Sequence, residues 1–155
     1  MKQFGFTILE LIIVIAIIAV IAGIGLVNLI SYRQRQNLKI QTEELVAVLR
    51  NSHDRSVTQE SGSRWGVHFE NPAGDNNDFY DLFSGTSYSA SAVVSRTALP
   101  PALQFDIPSS GASSTIIFAP VTGFPNVSTT IKISLMSSPS ASSTIIVNTN
   151  GQIQY

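Results

Sequence analysis

The sequence predicts an α+β chain in which one long N-terminal helix packs on a C-terminal antiparallel β-rich head. Three observations predict it. Leu11 to Ile30 is an apolar run without an ionisable side chain, and no proline interrupts residues 6 to 71. Beyond Gly62 the hydrophobic period changes from helical to alternating. The last third, Pro108 to Tyr155, carries Lys132 as its only charged side chain and is rich in Ser and Thr, a composition of short strands and turns.

The apolar run comes first. Twenty helical residues at about 1.5 Å each cover roughly 30 Å, the thickness of a bilayer's hydrocarbon core, so residues 6–30 are expected to cross a membrane. Glu10 stands at the entrance of this run, where a carboxylate costs up to about 3 kcal/mol towards mid-bilayer. The positive end of the helix dipole and the nearby headgroups offset part of that cost. From Ser31 to Ser61 the helix continues and becomes amphipathic. Leu38, Leu45, Leu49 and Ser52 recur at helical spacing beside Val46 and Val48, and Arg33, Arg35, Lys39, Glu43, Glu44 and Arg50 supply polar faces. A helix from Phe6 to about Glu60 would be roughly 80 Å long. Gly23 and Gly25 are its weak points, and Gly62 is the expected C-terminal cap.

The head, 62–155, is read as a meander. Arg64 to Glu70 alternates as a strand, Asn71 to Asp78 is a polar loop, and Phe79 to Phe83 is a second strand. Further strands are expected at Ala102–Ile107, Thr115–Ala119, Thr129–Met136 and Thr144–Thr149. Asn150-Gly151 before Gln152 to Tyr155 predicts a type I′ hairpin with two positive-φ positions. These strands suit an antiparallel sheet or small sandwich packed on the helix.

Composition restricts function. At 155 residues with 12% charged side chains and a formal net charge of −1, the chain holds one domain behind its apolar run and lacks the basic excess of a nucleic-acid binder. The absence of cysteine excludes disulfides, zinc thiolates and cysteine nucleophiles. Charge counting alone would place Arg33, Arg35 and Lys39 in the cytoplasm and Lys2 outside. A secretory signal cut after Val20-Ile21-Ala22 fits less well, because one lysine is a thin basic region, Glu10 interrupts the run, and apolar residues continue to Ile30.

The stretch Lys2-Gln3-Phe4-Gly5-Phe6-Thr7-Ile8-Leu9-Glu10 before an apolar helix resembles the class III signal of type IV pilins and type II secretion pseudopilins. The resemblance implies a leader at residues 1–5, cleavage by a prepilin peptidase between Gly5 and Phe6, and methylation of the new amine on Phe6. It implies that Glu10 pairs with the Phe6 amine of a neighbouring subunit and sets axial register, two costly charges becoming tolerable as a pair. It also reverses the orientation that charge counting gives, with the head outside the cytoplasm. The segment Arg50 to Val57, the Trp65-Gly66-Val67 strand and the Gly151 hairpin are most similar to the H-type minor pseudopilins and related minor pilins. Some of those contact DNA through arginines near the terminal hairpin, but Gly151 to Tyr155 carries no basic residue here, so nucleic acid is not an expected partner.

Other chemistry is thin. His53 and His68 have no paired metal spacing, and Gly85-Thr86-Ser87-Tyr88-Ser89 lacks the last glycine of a nucleophile elbow. Asp75, Asn77, Asp78 and Asp81 could offer oxygens to calcium, which some pseudopilins bind. However, Phe79 holds the fifth place, where an EF-hand needs an oxygen, and an ordinary polar turn is the plainer reading. Asn126-Val127-Ser128 is a formal glycosylation sequon. No catalytic residue, metal or cofactor is expected.

The leading expectation is therefore a non-enzymatic minor pilin or pseudopilin of a type IV pilus or type II secretion system. It would be held in the inner membrane and then assembled into a filament with other subunits through the inner-membrane assembly platform. A filament-borne adhesin or DNA-uptake pilin, and an unprocessed single-span anchored β domain, are the alternatives.

Overall fold

A computed structural model describes residues 7–74 and 77–155, with the side chains at 22–28 outside the description. The first element, α1, is an α-helix spanning Ile8–Val57 that continues through Gly23 and Gly25. By internal packing the chain divides into two units, Met1–Arg35 and Gln36–Tyr155.

In the first unit the described apolar side chains of α1 are exposed. Leu11, Ile12, Ile13, Val14, Ile15, Ile17, Ile18, Val20 and Ile21 are 44–65% exposed, so the helix is apolar on every side and buries none of them within the chain. Such a helix is stable when lipid or other helices cover it. Among the described residues, no helix is long and apolar enough to cross a membrane.

In the second unit α1 becomes one-sided. Leu38, Thr42, Leu45, Val46, Leu49, Ser52 and Ser56 are buried, a stripe at spacings of three and four that a 3.6-residue period aligns. Small residues close the stripe and let a strand approach. The Ser56 hydroxyl accepts a hydrogen bond from the Trp65 amide at 2.8 Å, and the Trp65 indole donates to the Glu60 carbonyl at 3.1 Å. This anchoring of Trp65 explains why the helix ends at Val57, short of the expected Ser61. The chain turns at Gln59, whose φ of 54° is left-handed, and passes through a 3-10 turn, Glu60–Gly62. Glutamine holds the first left-handed position that the sequence assigned to glycine.

Among the described residues eight strands follow. They are β1 (Trp65–Asn71), β2 (Phe79–Ser84), β3 (Val93–Ala98), β4 (Leu103–Ile107), β5 (Ala112–Phe118), β6 (Thr129–Leu135), β7 (Ser138–Val147) and β8 (Ile153–Gln154). They form two four-stranded sheets, ordered β3-β2-β1-β5 and β4-β6-β7-β8, with every strand pair antiparallel. Their inner faces share one core with α1: Val67, Phe69, Tyr80 and Ile116 from the first sheet, Leu103, Phe105, Ile131, Ile133, Ile145 and Val147 from the second. Phe69 meets Phe105 edge-on at 5.9 Å, joining the sheets.

Three expectations change. β3 was not anticipated. It is an edge strand whose middle residues, Val94, Ser95 and Arg96, are exposed, so no alternation marks it. β7 begins at Ser138, six residues before the expected Thr144, because Met136 and Ser137 form a tight turn and the Ser-rich stretch that read as turn is strand. Pro139 is tolerated there because β8 pairs with Ile146 and Val147 alone and leaves that part of the edge open. The last hairpin is not type I′. The Gly151 amide donates to the Asn148 carbonyl, and the Asn148 amide to the Gln152 carbonyl, both at 2.9 Å. Gly151 has φ 82°, and Asn150 is not among the left-handed residues. This is a type I turn followed by a left-handed glycine, the three-residue hairpin.

Candidate functional site

The N-terminal turn of α1 is the first site. Thr7 precedes the helix and caps it: its hydroxyl accepts the Glu10 amide at 3.2 Å, and its carbonyl accepts the Leu11 amide at 3.2 Å. Thr-x-x-Glu before an apolar run is the capping-box pattern, a signal legible in the sequence that was not drawn from it. Thr7 takes the Glu10 backbone donor, and the Glu10 side chain is exposed in the first turn, where the helix dipole favours an anion. Gly5 and Phe6 lie outside the described residues.

The outer face of the first sheet carries a second, closed cluster. Register places His68 opposite Asp81 and Asp81 opposite Arg96. Asp81 is fully buried. Arg96 grips it with Nε to Oδ1 at 2.8 Å and Nη2 to Oδ2 at 2.7 Å, while the Tyr88 hydroxyl donates to Oδ2 at 2.7 Å. Tyr88 stacks on His68 with ring centroids 3.7 Å apart. The His68 ring meets the Thr115 hydroxyl at 2.7 Å and the Glu70 carboxylate at 3.0 Å. Burial pushes the Asp81 carboxyl up, but the Arg96 fork and the Tyr88 hydroxyl outweigh it and hold the group below the usual carboxylate range. Every polar group here is engaged by another, so the cluster fastens the segment around Tyr88 onto the sheet.

The described calcium candidates do not converge. Asp75 lies outside the described residues and Asn77 is exposed. Asp78 and Asp81 are three apart along an extended segment, so they face opposite sides of it: Asp78 accepts the Phe105 amide and Asp81 faces Arg96. Among the described residues no group of three His, Asp or Glu side chains is placed to hold a metal. His53 packs edge-on against Phe118 at 5.4 Å and approaches the Asp54 carboxylate at 3.1 Å, far in role from His68. The sequon is committed to the fold, with Asn126 Oδ1 accepting the Ile117 amide at 2.8 Å and the Ser128 hydroxyl donating to the Val147 carbonyl at 3.0 Å. The Arg50 guanidinium lies 5.8 Å from the Tyr155 ring centre, a basic neighbour of the terminal hairpin that comes from the helix.

Comparison with known proteins matches both ends of this description. A family model, the prokaryotic N-terminal methylation motif, matches residues 1–26. No curated protein matches the chain. Two crystal structures of the type IV minor pilin FimU from Pseudomonas aeruginosa strain PAO1 share the fold. The form in space group P21 has a TM-score of 0.56 at 16% identity, covering 79% of this chain and 90% of that one. The P65 form has a TM-score of 0.53 at 16% identity, covering 76% and 90%. The chain thus carries a prokaryotic N-terminal methylation motif at the start of α1 and shares its fold with a type IV minor pilin.

Proposed function

We propose that this chain is a minor pilin or pseudopilin, a structural subunit without catalytic activity. A prepilin peptidase removes residues 1–5 after Gly5 and the Phe6 amine is methylated. Residues 6–30 then hold the subunit in the inner membrane with residues 62–155 outside the cytoplasm, and 31–61 join the two. On engagement with the assembly platform the same apolar helix leaves lipid for the filament core, where Glu10 pairs with the Phe6 amine of a neighbour.

One observation carries this reading: an exposed glutamate at the first turn of a helix that is apolar on all sides. Lipid covers the apolar side chains and leaves the carboxylate only the headgroups, whereas a bundle of like helices covers them and supplies an ammonium. Mass spectrometry of the mature chain should find N-methylphenylalanine at Phe6, and a mature terminus at Gly23 would end the proposal. Glu10→Val should insert and be cut normally yet fail to enter filaments. Filaments incorporating that variant at the wild-type level would show that the pair sets nothing.

A further inference from the structure

A cavity of about 530 Å³ opens where the end of β1 meets β4, and its lining includes Asn71, Asp78, Gln104, Asp106, Ser109 and Ser110. The Ser109 and Ser110 hydroxyls can donate or accept, while the amide donors of the lining are largely spent inside the fold. The Asn71 amide gives hydrogens to the carbonyls of Phe105 and Pro108, both at 2.9 Å, so what it offers a ligand is its oxygen. The Gln104 amide leans on Asp106 Oδ1 at 3.4 Å, which leaves its oxygen likewise. Asp106 also accepts the Ser134 hydroxyl at 2.7 Å and is paired with Lys132 at 3.0 Å, so its charge is balanced from within. Asp78 is 2% exposed and faces no side-chain cation; its protein donor is the Phe105 amide. Among the described residues the lining therefore presents mainly acceptors and one carboxylate, Asp78, with no side-chain cation paired to it.

We propose that this cavity binds a primary organic ammonium group, carried by a free diamine or by a lysine side chain of a partner. An ammonium offers three donors and one positive charge, the complement of a lining that presents mainly acceptors and one carboxylate without a paired side-chain cation. Size separates it from a metal ion. At about 30 Å³ each, more than a dozen waters would fill this volume, whereas calcium needs six to eight oxygens converging at about 2.3–2.6 Å. The volume falls in the range of about 300–1,000 Å³ typical of small-molecule sites. Burial holds the Asp78 carboxyl above the ordinary range, against the lowering effect of the Phe105 amide; a bound cation would reverse that.

The full chain in detergent micelles, followed by amide NMR at pH 7, provides the test. Titration with 1,4-butanediamine and with Nα-acetyl-lysine N-methylamide should shift the amides of Asn71, Gly74, Gln104 to Asp106, Ser109 and Ser110 saturably. The tighter of the two identifies the source of the ammonium. Equal shifts with 1,4-butanediol, shifts with calcium chloride alone, or no saturable shift with either amine would overturn the proposal. Asp78→Asn should weaken the amine at least tenfold. If that variant does not fold, Ser109→Lys at an exposed position brings an ammonium of its own to the rim and should weaken the amine to the same degree; wild-type affinity in a folded Ser109→Lys variant would count against the site.

Discussion

At the scale of single residues, Asp78 and Asp81 show how three positions along a strand give two carboxylates opposite electrostatic lives. Asp81 is held below its ordinary range against burial, by Arg96 and Tyr88. Its folded pKa is below its unfolded one, so its stabilisation is present above about pH 4 and is lost as pH falls through the folded value. Asp78 is pushed the other way by burial, so it costs stability at neutral pH and ceases to as acid protonates it. Thermal unfolding between pH 3 and 7 should therefore separate the variants by sign. Asp81→Asn lowers Tm at pH 7 and converges on wild type in acid, whereas Asp78→Asn, which keeps an acceptor for the Phe105 amide, raises Tm at pH 7 and converges from above. Tyr88→Phe keeps the stack on His68 and removes one hydrogen bond to a charged acceptor, so it should cost about 1–2 kcal/mol. Arg96→Ala should cost more, because it removes the paired cation and a donor from each oxygen of a buried carboxylate, leaving Tyr88 alone on Oδ2. None of this was legible in sequence. Asp81 and Arg96 lie fifteen residues apart and meet only once β2 and β3 are in register, and β3 had no alternation to announce it. Glu10 was legible because its partners in meaning, Thr7 and the apolar run, are its neighbours in the chain.

At the scale of elements, the end of α1 is where long-range contacts override local signals. Gly123 has φ 67°, and an added Cβ would run into His53 Nε2 and lie 2.9 Å from Val57 Cγ2. Gly151, with φ 82°, would place its Cβ 2.6 Å from the Gly123 carbonyl. Two tight turns and one helical histidine thus share a single close contact that locks the terminal hairpin to α1. Gly123→Ala carries both backbone strain and overpacking and should cost about 1–3 kcal/mol. His53→Ala makes room, so the double variant should recover part of that loss, and a strictly additive double-mutant cycle would show that the clash is not what matters. The same closeness explains the errors of reading. The buried stripe of α1 from Leu38 to Ser52 and the existence of β1, β4 and β6 were anticipated from the sequence pattern. The stop at Val57 and the type I turn before Gly151 are set by Trp65 and His53, residues distant in sequence from the signals they overrule.

For the whole molecule, the division at Arg35 and Gln36 separates a unit whose described apolar side chains are exposed from a unit with a core of its own. The second unit contains its entire core, beginning with Leu38 and including Leu45, Val46 and Leu49. The described apolar side chains of the first unit contribute nothing to that core, since each is exposed. The hydrophobic effect then makes a definite demand. Burial of the helical stripe stabilises the head in water, whereas exposure of Leu11 to Ile21 opposes solubility of the whole chain, each large aliphatic side chain being worth about 1.5–3 kcal/mol when covered. A fragment starting at Gln36 should accordingly fold without detergent, remain monomeric, and unfold in one cooperative transition within a few degrees of the full chain in micelles. A fragment starting at Asn51 loses Leu45, Val46 and Leu49 from the core and should not fold. If the Gln36 fragment instead aggregates or melts far below the full chain, the first unit contributes to the head's stability. The helix and the head would then not be the separable parts that the proposed passage from lipid to filament requires.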